Sequence, residues 1–158
     1  MSASTAKARR RSPDDEPVVA LLGDYDYADS FEIPLESTDE RSPEQWMKIA
    51  IGGAPLPVKT TVGLAWFALR FDLHPRTPGH LFGMPVVEST PNFVHLRGDS
   101  PLLEAHLIGR RADPTLAALT TVLIYKHRTI TWGMWSMLGP AHRRIAPYLM
   151  ERVAAAAR

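Results

Sequence analysis

The stretch Thr129–Arg158 constrains this chain more than any other. Met134, Leu138, Ala141, Ile145, Leu149 and Val153 recur at steps of three and four, so they share one face of a helix. Arg143, Arg144, Glu151 and Arg152 fall mostly outside that face, toward water. Trp132 and Trp135 widen the apolar stripe near its start. Proline lacks an N–H, so Gly139-Pro140 and Pro147 should bend the segment or split it into two helices nearly in line. A helix striped in this way needs an apolar surface to lie on.

That surface is legible upstream. Asp24–Leu35 alternates, with Tyr25, Tyr27, Phe31, Ile33 and Leu35 on one side and Asp26, Ser30 and Glu32 on the other, as a half-buried strand does. Four runs separated by short turns follow later: Pro85–Ser89, Phe93–Arg97, Leu102–Arg111 and Thr115–Lys126. Such spacing predicts an antiparallel meander. The first strand is expected beside the last, giving a curved sheet of about five strands. Two short helices are expected between the first strand and the meander. Ser42-Pro43-Glu44-Gln45 supplies a capping box and Gly52-Gly53 a stop. The second helix, Pro57–Phe71, is apolar almost all round, which suits either a core helix or a lid. The fold class is therefore α+β, with the sheet wrapped around a long, proline-kinked C-terminal helix.

Met1–Pro17 is polar, with Lys7, Arg9, Arg10 and Arg11 neutralised by Asp14, Asp15 and Glu16, and is expected to be a disordered tail before a single domain over 18–158. The formal net charge is only +1, which gives no basic field for nucleic acid. No cysteine is present, so thiolate metal sites and a cysteine nucleophile are excluded; this fits a cytoplasmic chain. No apolar run is long enough for a transmembrane segment. Nucleotide and dinucleotide fingerprints and the G-x-S-x-G elbow are missing, and no cofactor is expected.

Several stretches carry a resemblance: Asp26-Tyr27-Ala28-Asp29 with Phe31, Pro85–Ser89, Ser100–Leu107, and Gly139-Pro140-Ala141-His142-Arg143-Arg144-Ile145-Ala146-Pro147-Tyr148-Leu149. From about Asp24 onward the chain resembles the START and birch-pollen-allergen (SRPBCC) helix-grip superfamily, and within it a family of uncharacterised, mainly bacterial proteins. The resemblance implies an apolar cavity between sheet and terminal helix for a lipid, polyketide or other aromatic molecule. It implies no catalytic set.

Candidate residues follow from that architecture. Trp66, Phe67, Leu103, Leu107, Trp135 and Leu138 are expected around the cavity, with His142 at its polar mouth. Glu104 and His106 share a strand face with each other, opposite Leu103 and Leu107. With the leucines inward the pair lies in solvent; with the parity reversed it becomes a cavity acid–base pair. The six histidines show no tight ligand spacing, so no metal site is expected. The leading expectation is binding of a small hydrophobic molecule. A cyclase- or dehydratase-like enzyme is the second reading, and a protein–protein module, a homodimer included, the third.

Overall fold

The computed structural model describes residues 6–36, 39–74 and 76–156. They form an α+β fold in which a long C-terminal helix lies on one antiparallel sheet. The strands are β1 (Arg9–Arg11), β2 (Tyr27–Pro34), β3 (His80–Leu81), β4 (Met84–Thr90), β5 (Phe93–Asp99), β6 (Leu103–Asp113) and β7 (Leu116–Tyr125). The helices are α1 (Pro17–Leu22), α2 (Pro43–Gly52), α3 (Leu56–Ala68) and α4 (Arg128–Ala156). The spatial order is β1-β2-β7-β6-β5-β4-β3, and every pairing is antiparallel.

The meander and the pairing of the first long strand with the last follow the alternation read from the sequence. The expected count of about five strands is corrected to seven, because β1 and β3 are added at the two edges. Both are short and owe their place to backbone pairing with a neighbour, which side-chain pattern does not report.

The expected disordered tail is corrected for the same reason. Arg9, Arg10 and Arg11 pair with Glu32, Phe31 and Ser30. Ala8 N–H donates to the Glu151 carboxylate on α4 at 3.1 Å. Glu16 is 1 % exposed and receives three hydrogen bonds from the Arg110 guanidinium, at 2.8–3.1 Å. The N-terminal segment is thereby tied to α4 at Ala8 and, further along, to the opposite face of the sheet at Glu16. Met1–Thr5 lie outside the described residues.

Ser42 and Gln45 form the predicted capping box at the start of α2. Gly109 on β6 lets that helix come close, since a Cβ there would stand 3.2 Å from Met47 Cε and 3.3 Å from Pro43 Cβ. α4 runs unbroken through Pro140 and Pro147. The carbonyls of Ser136 and Arg143 therefore lack an intrahelical donor.

The residues of α4 that pack deepest are Thr131, Trp135, Gly139, Ala146, Leu149, Met150, Val153 and Ala154. The expected face is thus turned by about one residue for much of its length. Leu138, Ala141 and Ile145 are only half-buried. The interior divides into three apolar clusters in place of one continuous core. One surrounds Phe31, Trp46 and Met150, one Leu103 and Trp135, and one Met84 and Leu96.

Candidate functional site

A cavity of about 620 Å³ lies between the sheet, α4 and α3. Its walls are almost entirely apolar, and its size falls in the range of small-molecule sites. Small residues create it. Ala105 on β6, Ala117 on β7, and Ala141 and Ala146 on α4 face a space they cannot fill. α3 leans over that space with Val62, Ala65 and Trp66 inward. None of its thirteen residues is buried, so it covers the cavity without belonging to the core.

Six of the seven predicted ligand-binding residues lie on the wall: Trp66, Phe67, Leu107, Trp135, Leu138 and His142. Phe67 is 82 % exposed and belongs to the outer surface as well. Leu103 is the exception; it is fully buried behind the wall, in the cluster that holds Trp135.

Where Thr121, Trp135 and His142 line the cavity, a buried carboxylate, Asp29, stands beside His142; no spacing motif marks it. Along β2, Tyr27, Asp29, Phe31 and Ile33 share one face by the period of two. Asp29 stands opposite Thr121 of β7. Its side chain is 1 % exposed. The Tyr27 hydroxyl donates to Asp29 Oδ2 at 2.5 Å. His142 Nε2 lies 3.0 Å from the same oxygen, near enough for an ion pair but off the line of a hydrogen bond. Asp29 Oδ1, His142 Nε2, Thr121 Oγ1 and Trp135 Nε1 are all buried without a hydrogen-bond partner. Four such atoms in one region, one of them the carboxylate's own oxygen, are costly, because an unpaired buried polar group loses its hydration with no return.

Aromatic packing closes the group. The Trp135 ring lies 5.0 Å from Tyr27 and 5.3 Å from His142. Arg143 donates to the Tyr27 hydroxyl at 3.4 Å. Gly139 gives these side chains room, since a Cβ there would come within 2.8 Å of Arg143 Nη1 and 3.2 Å of Trp135 Nε1. Burial, followed by the bond to Asp29, pushes the Tyr27 hydroxyl up to about 12, so it stays protonated as a donor. His142 is not sealed in as Asp29 is: 22 % of its side chain is exposed. His142 therefore stands between the buried Asp29 carboxylate and the accessible side of the site.

Glu104 and His106 lie on the other face of the sheet, so the leucine-inward parity holds and they do not reach the cavity. The expectation that both stand in solvent is corrected for His106, which is 3 % exposed. The N-terminal segment, fastened through Glu16 and Arg110, covers that face. A relay runs beneath it. Arg97 donates to Glu104 Oε2 at 2.8 Å and His106 Nε2 donates to Glu104 Oε1 at 2.7 Å. His106 Nδ1 is left to accept from His95 Nε2, also at 2.7 Å. Burial, then the neighbouring His106, pushes His95 down to about 4, and burial lowers His106 as well.

No helix of the described residues is long and apolar enough to cross a membrane. Comparison with protein-family models, with curated proteins and with solved structures gave no match.

Proposed function

We propose that this chain binds a small hydrophobic molecule in the cavity between sheet and α4, in the manner of a helix-grip domain. The observation that carries the reading is an apolar cavity of about 620 Å³ whose few polar wall groups include Thr121, Trp135 and His142. A filled core would bury those apolar walls against each other. An empty one of this size forgoes their dispersion contacts. A ligand restores them, and its affinity comes mainly from apolar surface removed from water.

Native mass spectrometry of gently purified protein should show a co-purifying apolar molecule. Fatty acids, sterols and aromatic polyketides form the first screen. A binder should raise the melting temperature by mass action. It should also change tryptophan fluorescence, by a smaller amount in Trp135→Phe. A screen in which nothing shifts either signal, with no co-purifying molecule, would leave the binding reading without support.

A second reading, proton transfer on a cavity-bound molecule, is favoured by one observation: His142 has a buried carboxylate 3.0 Å behind it. His142 would carry the proton and Asp29 would position it. Glu104 and His106 are excluded from that role by their place on the opposite face. Exchange of α-protons of 2-tetralone in deuterated buffer tests this. Wild-type protein should exceed the buffer rate and His142→Ala should not. Equal rates in the two proteins would remove the enzymatic reading.

A further inference from the structure

The outer surface of the α3–α4 side carries a feature that ligand binding alone does not require. Leu56, Thr60, Leu64 and Phe67 follow one another at steps of four, four and three, so they form one face of α3. Leu56 is 75 % exposed, Leu64 63 % and Phe67 82 %. On α4, Ile130 and Met137 are seven residues apart on a common face and are also exposed. Both helices line the cavity, α3 through Val62, Ala65 and Trp66 and α4 through Leu138, Ala141 and Ile145, and Leu69, just past α3, belongs to one apolar cluster with Trp135. Leu64 and Phe67 line the cavity and face outward at once, so the cavity opens at this apolar surface.

Up to Glu151 the charged side chains of the two helices are all basic. α3 contains no acidic residue, and α4 contains none before Glu151. Lys59, Arg70 and Arg144 are exposed and have no ion-pair partner among the described residues. Arg128 is partly neutralised by Asp26 at 3.6 Å, and Asp72, an exposed carboxylate just beyond α3, lies 3.2 Å from His74. Apolar side chains ringed by unpaired cations suit a surface that is apolar below and anionic above.

We infer that the α3–α4 face docks on an anionic lipid bilayer, with Leu64 and Phe67 entering the interface and Lys59, Arg70 and Arg144 meeting the lipid phosphates. Docking places the cavity mouth against the hydrocarbon and gives an apolar ligand a path that avoids water. The inference goes beyond the binding reading and fails independently of it, because docking is measured with vesicles and cavity binding without them.

The test is co-sedimentation with vesicles of phosphatidylcholine alone and of phosphatidylcholine mixed with phosphatidylglycerol, at low and high salt. Wild-type protein should sediment with the phosphatidylglycerol vesicles and be released by salt, since screening weakens surface attraction. Phe67→Ser should weaken partitioning by about tenfold. Because Phe67 is mostly exposed, the variant should keep its melting curve, which is checked alongside. Lys59→Glu should remove the preference for phosphatidylglycerol. Three outcomes overturn the inference: no sedimentation with either vesicle, equal sedimentation of wild type and Phe67→Ser, or a dimer in vesicle-free solution that Phe67→Ser abolishes. The last would assign the face to a second copy of this chain.

Discussion

Thr121 and Asp29 face each other across β2 and β7, yet their substitutions should have opposite effects. The Thr121 hydroxyl is buried with no partner, so Thr121→Val exchanges an unsatisfied group for a methyl of the same shape. Stability should rise by about 0.5–1 kcal/mol in chemical denaturation, or stay level. Asp29→Ala instead removes the buried acceptor of the Tyr27 hydroxyl and the carboxylate 3.0 Å from His142. That change should cost about 1–3 kcal/mol. A loss at Thr121→Val as large as at Asp29→Ala would mean that the hydroxyl is bonded. Asp29 was within reach of the sequence: the alternation that places Tyr27, Phe31 and Ile33 on the buried side places Asp29 there too. Its partner was not, because Asp29 and His142 are brought together only when α4 crosses β2.

Among the elements, α3 is the one built to move. It has no buried residue and no side-chain N-cap bond, and proline stands at its cap and again inside its first turn. Arg70, just past its end, holds a left-handed φ of 59°, a conformation that costs a non-glycine residue about 1–2 kcal/mol. By contrast α2 is closed by its capping box, and α4 packs on β2 and β7. Native-state hydrogen exchange should therefore be faster across Leu56–Ala68 than across α2 or the middle of α4. Occupation of the cavity should slow α3 selectively. Uniform exchange over all three helices, or a ligand that slows α2 in place of α3, would contradict a covering role.

For the molecule as a whole, the back of the sheet sets the response to acid. His95 is buried, with Glu16, Glu104, Arg97 and His106 the charged or titratable groups acting on it. Its folded value near 4 lies below the ordinary 6.5, so the unfolded chain binds the proton more readily. Stability from this group is complete above about pH 6.5 and is lost as the pH falls through that window to about 4, on the order of 3 kcal/mol in all. Denaturation midpoints measured from pH 7 to pH 4 should drop for the wild type and drop less for His95→Gln. Equal slopes would place the acid response elsewhere. The relay is conspicuous only in the fold: His95 and His106 sit on neighbouring strands, and the covering N-terminal segment is remote from both in the chain.

Local periodicity by itself determined the long helix, the meander, the cap of α2 and the α+β class, because each of these rests on side chains three, four or two residues apart. The cavity-wall positions Trp66, Phe67, Trp135, Leu138 and His142 were expected only from the helix-grip architecture that the resemblance implies, not from periodicity. The tertiary structure alone decided what had no local signal. Backbone pairing turned Arg9–Arg11 into an edge strand. Gly139 and Ala146, too small to mark a face, set which side of α4 approaches β2. The same smallness, repeated at Ala105, Ala117 and Ala141, left a cavity that no periodicity announces, because empty space is a property of facing surfaces and not of either surface alone.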